Sequence, residues 1–290
     1  MASGKNDRIE SGGIVVNPHI SAAEALAEEI ADVVETHDAR VWKSEGLDEE
    51  QAPQWVAESD LVVTLGGDGT ILRAASVAVD HGTLLLGINL GRIGFLTEAE
   101  PGDWEEILPQ VLRGDYWVEE RMTLDARADR GDELLGRGCA LNDAVVGQGA
   151  ISRVVRLEVY VDGDLLTSYV TDALIVATPT GSTAYALAAG GPIMPPEQRN
   201  ILLVPVAPHL SLDRPVVLAE GVCVKVVVEG HSPAALTLDG QRKVELTRGD
   251  TVRVEAGCRP ARFARVRERD YFYRTLMARL VPRRRDLARP

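Results

Sequence analysis

Apolar and polar positions along the chain follow two rhythms, and the change falls near residue 120. Up to there, short apolar runs alternate with stretches of helical period. The runs are Gly13 to Asn17, Ala39 to Trp42, Leu61 to Leu65 and Thr83 to Ile88, with helices expected from Ser21 and from Thr70. In the first helical stretch Leu26, Ile30, Val33, Val34 and His37 recur on one face, and Ser21 with Glu24 has the spacing of a capping box. Strands alternating with helices predict an open parallel sheet, whose ligands bind beyond the carboxyl ends of the strands.

After Arg121 the period becomes two. Val155, Leu157, Val159 and Val161 share a face and lead into Asp162-Gly163. Val222, Val224, Val226 and Val228 share another, and Leu236 and Leu238 precede Asp239-Gly240, with Val244, Leu246, Val252 and Val254 beyond. Asp-Gly between alternating runs is a hairpin signal, so this half is expected to be an antiparallel sandwich or layered sheet. Tyr271 to Leu280 reads as a helix that returns to the first half. The expected organisation is an α/β domain over 13–120 plus 270–290 and a β domain over 121–269.

Composition narrows the classes. A chain of 290 residues has room for two domains that each bury a core. Cys139, Cys223 and Cys258 are odd in number and far apart, which argues against a disulfide framework and fits a reducing cytosol. No Cys/His spacing of a zinc site occurs, so a metal would be a hard cation held by oxygens, and no apolar run is long enough to span a bilayer. A cytoplasmic protein without membrane partner is expected. The net charge is -13, yet 27 of the 31 basic residues are Arg. An acid-rich, Lys-poor surface suits high salt, as in a halophilic archaeon, because screening removes its self-repulsion; a GC-rich genome would also favour Arg. From Arg259 onward 11 Arg face only Glu268, Asp270 and Asp286. Without a recognition motif this basic tail is expected to lie on the chain's own acidic surface rather than on nucleic acid.

Four motifs carry candidate chemistry. The first, Gly66-Gly67-Asp68-Gly69-Thr70, ends an apolar strand where a helix begins. Glycines let backbone amides approach an anion, the helix terminus favours negative charge, and the carboxylate can hold magnesium or a reacting hydroxyl; the plain alternative is a sharp strand-helix turn. The second, Asn142-Asp143, can grip vicinal ribose hydroxyls or simply form a turn. The third runs from Asp172 to Pro192: a buried strand delivers Thr178, Thr180, Ser182 and Thr183, with Pro179 and Gly181, onto a helix start, a polar platform for a nucleotide. The fourth, Val204 to Pro215, contains His209, either a satisfied polar residue or a direct participant.

With these motifs in this order, the chain resembles the NAD kinases, ATP- or polyphosphate-dependent, from about Ile14 to Leu280. The resemblance implies a Rossmann-like N-terminal domain, a C-terminal β-sandwich and a helix crossing back. It also implies a divalent metal such as magnesium, and homodimers or homotetramers in which NAD contacts a neighbouring subunit. It makes Asp68 the catalytic aspartate toward the 2'-hydroxyl of the adenosine ribose, also touching NAD together with Gly69, and makes Gly66, Gly67, Gly69 and Thr70 the phosphate cradle. It places Phe95 against adenine, Asn142 and Asp143 on NAD, and Asp172 at the nicotinamide end. Thr183, Ala184, Tyr185, Ala186, Leu187 and Ala188 form the NAD-binding turn, and Arg153, Ala207 and Gln241 make further contacts.

Two positions depart from the family's habit: Ala188 where Ser is common and Ala173 where Gly is common. The chain has no Gly-x-x-x-x-Gly-Lys-Ser/Thr loop. Phosphoryl transfer would therefore rest on backbone amides, a magnesium ion and Arg73, one helical turn beyond Gly69, for which a solvated helix face is the alternative. Two other readings share parts of the pattern. A lipid or sugar kinase would need Gly66 to Thr70 without the Thr178 to Tyr185 platform, and a non-catalytic NAD(P)-binding sensor could dispense with Asp68.

Overall fold

A computed structural model of the chain describes residues 6–47, 52–91, 94–149, 154–209, 212–269 and 271–280. They form two compact units, residues 1–120 with 261–290, and residues 121–260.

In the first unit the order is β1 (Ser11–Val16), α1 (Ala22–Thr36), β2 (Arg40–Glu45), α2 (Ala52–Ala57), β3 (Leu61–Gly66), α3 (Asp68–His81), β4 (Leu84–Asn89), α4 (Trp104–Leu112) and β5 (Trp117–Arg121). β1, β3 and β4 are buried at every position, which is why they read as unbroken apolar runs. β1 pairs in parallel with β2 and β3, and β3 with β4. α1 buries Ala23, Ala27, Ile30, Ala31 and Val34, so three of its five buried residues are alanines, and of the larger side chains that mark the face only Ile30 and Val34 are fully buried. The capping box does not form. Ser21 is itself helical (φ -59°, ψ -29°) and makes no side-chain cap, whereas a capping side chain needs extended backbone. The Ile20 carbonyl takes the Ala23 amide instead, at 3.0 Å. α3 begins at Asp68, two residues ahead of the expected start. α4 went unread because Pro109 interrupts its pattern, although Trp104, Ile107, Leu108, Val111 and Leu112 are buried.

The second unit comprises β6 (Leu124–Arg130), β7 (Glu133–Ala140), β8 (Asp143–Gln148), β9 (Val155–Val161), β10 (Asp164–Thr171), β11 (Ala173–Ala177), α5 (Tyr185–Ala188), β12 (Asn200–Val206), β13 (Val216–Ala219), β14 (Val224–Val228), β15 (Ala234–Leu238), β16 (Arg242–Leu246) and β17 (Thr251–Ala256). They make two six-stranded antiparallel sheets, β10-β9-β14-β17-β6-β7 and β13-β12-β11-β8-β15-β16. Leu124, Leu157, Val226 and Val254 of the first pack with Val146, Leu174, Leu203 and Leu236 of the second in one core. Both Asp-Gly turns have positive φ at both residues, 52° and 95° at Asp162-Gly163 and 49° and 67° at Asp239-Gly240, the twist that two-residue hairpins require.

The chain rejoins the first unit at Ala261, earlier than the helix at 271 suggested. β18 (Ala261–Arg265) pairs in parallel with β4, giving the order β2-β1-β3-β4-β18-β5, and α6 (Tyr271–Leu280) follows. Two arginines in five residues hide this strand in the sequence. Arg262 donates to the Gly82 carbonyl at 2.9 Å. Arg265 is buried between Glu119 (2.7 Å) and Glu98 (3.3 Å). Burial alone would lower its pKa, but the two carboxylates outweigh that and raise it. Arg267 pairs with Asp103 and Arg269 stacks on the Trp117 ring, so much of the described basic tail lies on its own unit.

Candidate active site

In the first unit, the strand-helix turn and the segment after β4 meet at one carboxylate. Asp68 opens α3, and its Oδ2 accepts the Phe95 amide at 2.9 Å while Oδ1 accepts the Leu96 amide at 3.1 Å. The contact depends on a missing side chain, because a Cβ at Gly94 would fall 2.0 Å from Asp68 Oδ1. The other glycines divide in role. A Cβ at Gly66 would strike the Thr70 hydroxyl at 2.3 Å, so this glycine lets the strand pack on α3. At Gly67 and Gly69 a Cβ would meet nothing within 4 Å, so neither glycine is required there by close packing. Thr70 is buried and its amide bonds the Gly67 carbonyl at 2.9 Å. Arg73 is exposed on α3. Phe95 is half-buried, its ring 6.4 Å from that of Phe272.

The network around Arg265 supports this arrangement. Its Nη1 donates to the Leu96 carbonyl at 3.0 Å, and Glu98 accepts the Val266 and Arg267 amides at 2.9 and 2.8 Å. The residue whose amide holds Asp68 is thus tied to the strand that returns from the far end of the chain.

In the second unit, Asn142 and Asp143 stand where β8 begins. The Thr178 amide donates to the Asn142 carbonyl at 2.9 Å and its hydroxyl to the Leu141 carbonyl at 2.6 Å. Gly181 packs so closely that a Cβ would fall 2.0 Å from the Asn142 oxygen. The hydroxyl platform is largely internal structure. Ser182 donates to the Pro179 carbonyl and accepts the Met194 amide, and Thr183 bonds the Thr180 carbonyl at 3.1 Å. Of the platform's four hydroxyls, that of Thr180 alone is buried with no partner. Tyr185 and Ala188 are exposed, Thr183, Ala184 and Leu187 half-buried, and Ala186 packs with Ile175, Ala177, Met194, Leu202 and Val204.

Asp143 is 6 % exposed. Burial, and then the charge of Asp239, push its carboxyl up to about 7. Asp239, at the β15–β16 turn, was read only as a turn residue. Its side chain accepts the amides of Leu141, Asn142 and Asp143 at 2.8, 2.8 and 3.0 Å. Burial raises its pKa while those three amides oppose the rise. Gln241, exposed, follows the same turn.

Asp172 and Ala207 lie at the opposite end of β11, about 17 Å from Asp143 at about 3.4 Å per residue. Asp172 accepts the Gln148 side chain at 2.7 Å and its amide bonds the Val206 carbonyl; Ala207 is exposed with φ 47°. His209 is exposed as well. Arg153 lies outside the described residues. The Ala173 departure has its room from across the ladder, where Gly147 pairs with it and a second Cβ would come within 2.8 Å.

Residues 12–116 match the ATP-NAD kinase N-terminal domain and residues 141–266 the ATP-NAD kinase C-terminal domain. The chain belongs to the NAD kinase family. The NAD kinase of Chloroflexus aurantiacus is 36% identical over 272 residues, 94% of this chain and 99% of that one. Among solved structures, the crystal structure of yeast NADH kinase complexed with NADH is similar with a TM-score of 0.81 at 25% identity, covering 94% of this chain and 88% of that one. The NAD kinase from Archaeoglobus fulgidus in complex with ATP gives 0.76 at 26%, covering 93% and 98%. The fold is that of NAD kinases, and the chain is an NAD kinase enzyme. A match through both halves leaves the lipid- or sugar-kinase reading without support.

Proposed function

We propose that the chain transfers the terminal phosphoryl group of ATP to the 2'-hydroxyl of the adenosine ribose of NAD, with Asp68 orienting that hydroxyl. The observation that carries the assignment of Asp68 is its placement. It opens α3 between Gly67 and Gly69 and is fixed by two amides against Gly94. As the 2'-oxygen bonds to phosphorus, the bond from phosphorus to the β-phosphate oxygen breaks, ADP leaves, and the hydroxyl proton departs toward the carboxylate or water. Both carboxylate oxygens already accept hydrogen bonds, which favours orienting over full proton abstraction.

The phosphates approach the start of α3 at Gly67 and Gly69, with Gly66 and Thr70 shaping the turn and Arg73 one helical turn on. The ATP bound to the Archaeoglobus fulgidus relative supports ATP as donor; polyphosphate uses the same chemistry. Among the described residues no group of three or more His, Cys, Asp or Glu could hold a metal ion, so a divalent ion would arrive with the donor's phosphates.

On the acceptor side Asn142 and Asp143 bind the ribose, Phe95 lies against adenine, and Thr183 to Ala188 with Gln241 and Arg153 complete the dinucleotide contacts. Asp172 and Ala207, at the far end of β11, would serve an NAD shared with a neighbouring subunit, which makes the enzyme a homodimer or homotetramer. Sedimentation with and without NAD tests this.

The activity test is to incubate the protein with NAD or NADH, magnesium and either ATP or polyphosphate, at low and at molar salt. Product is read with a dehydrogenase that accepts only NADP or NADPH. Signal with ATP and NAD is expected; no product with either donor at either salt overturns the reading.

A further inference from the structure

The backbone of Leu141, Asn142 and Asp143 has six polar groups, and two residues satisfy all of them. Thr178 donates to the Leu141 and Asn142 carbonyls. Asp239 takes the other four: its carboxylate accepts three successive amides, and its own amide donates to the Asp143 carbonyl at 3.0 Å. Such a complete pairing fixes the entry to β8, of which only Asp143 joins a ladder, opposite Ala177 on β11. The β8–β15 ladder runs from Ala144 opposite Leu238 to Gln148 opposite Ala234 and does not include these amides. Nor does the turn itself need the carboxylate. At φ 49°, followed by Gly240 at 67°, the turn needs a residue that tolerates the left-handed region, which Asn or Gly does equally well.

We propose that Asp239 is a positioning residue of the acceptor site: its carboxylate anchors the Leu141–Asp143 backbone so that the side chains of Asn142 and Asp143 meet the ribose of NAD. The inference rests on the reading that this pair binds NAD. The carboxylate has a second effect, because its negative charge faces the buried Asp143 and disfavours ionisation there. No other charged group contributes to the Asp143 shift; the Thr178–Gly181 loop on its other side carries no ionisable residue.

Steady-state kinetics of Asp239→Gly and Asp239→Asn, with Asp143→Ala measured alongside, test the proposal. Both substitutions suit the turn, and Asn keeps one oxygen for the Asn142 and Asp143 amides. Asp239→Gly should raise the KM for NAD by about tenfold or more while kcat and the KM for ATP stay within about twofold, and Asp239→Asn should fall between it and the parent. The pH profile adds a signature. The gain in NAD affinity with rising pH, centred near 7 in the parent, should move to lower pH in Asp239→Asn, since the like charge is gone. Unchanged KM for NAD in both Asp239 variants, with Asp143→Ala impaired, overturns the role of Asp239 alone. An unimpaired Asp143→Ala overturns the underlying site reading as well. Parallel losses in kcat, both KM values and melting temperature would reduce Asp239 to a structural turn.

Discussion

Asp68 and Asp143 each sit at a strand end beside a glycine-containing turn, and their surroundings are opposite. Asp68 is half-buried, takes two backbone amides on its own carboxylate, and lies in a gap that only glycine leaves open. Asp143 is buried, faces a second carboxylate, and has its backbone rather than its side chain secured by that neighbour. One carboxylate is held in place by two backbone donors. The other is held at the edge of ionisation, so that its charge responds to pH and to what binds it. In the proposed function the first serves the chemical step and the second recognition, and mutation should separate kcat from KM in the same way.

The largest effect belongs to Asp68→Asn, which keeps the shape and removes the charge. Its kcat should fall by at least about a hundredfold while NAD affinity stays within about tenfold; a variant retaining more than about a tenth of parental kcat would dismiss the carboxylate from the chemical step. Gly94→Ala comes next. The added methyl would displace Oδ1, and a carboxylate misplaced by about 1 Å can cost about a hundredfold in rate. Circular dichroism and NAD binding should be near parental, and an active Gly94→Ala would show that the carboxylate need not sit where it does.

Asp143→Ala should act on KM instead, raising it for NAD by about ten- to a hundredfold, the loss of a charge-assisted hydrogen bond of roughly 1.5–3 kcal/mol. The KM for ATP should not move. If thermal stability falls and the KM for NAD does not, the pair is only a turn.

The pH dependence follows from the raised carboxyl. The folded protein binds the Asp143 proton up to about pH 7, against 3.8 for the reference value. Between those values the folded state holds more proton than the unfolded state. This contribution to stability is therefore full below about pH 4 and lost as pH rises through 7. At about 1.4 kcal/mol per pH unit, the loss is on the order of 4 kcal/mol. Asp143→Asn should melt higher than the parent at pH 8 and lose most of that advantage at pH 4, even as NAD binding weakens. Equal melting temperatures at pH 8 would mean that the carboxyl is not held up. The smallest effect concerns the acidic surface: if the net charge of -13 reflects salt adaptation, molar KCl should raise the melting temperature of both units, and an equal or lower value would leave genome composition to account for the arginines.

The sequence by itself determined the two architectures, since continuous apolar runs buried on both faces and strict two-residue alternation with Asp-Gly turns each have one stable arrangement. It also determined that Asp68 sits where a strand gives way to a helix. Other features required contacts between distant parts of the chain. The capping box at Ser21 matched in spacing and failed in geometry, because spacing carries no φ and ψ. The strand Ala261–Arg265 was invisible behind charges that find partners only in the folded unit. The hydroxyls of Thr178, Ser182 and Thr183 looked like a surface for ligand, yet they satisfy the loop's own backbone. Asp239 read as a turn because local pattern reports local conformation. Its carboxylate reaches amides 96 to 98 residues away in the chain, and only tertiary structure brings a charge and three donors to the same point, since amides that no neighbouring strand pairs must find their hydrogen bonds wherever the fold supplies them.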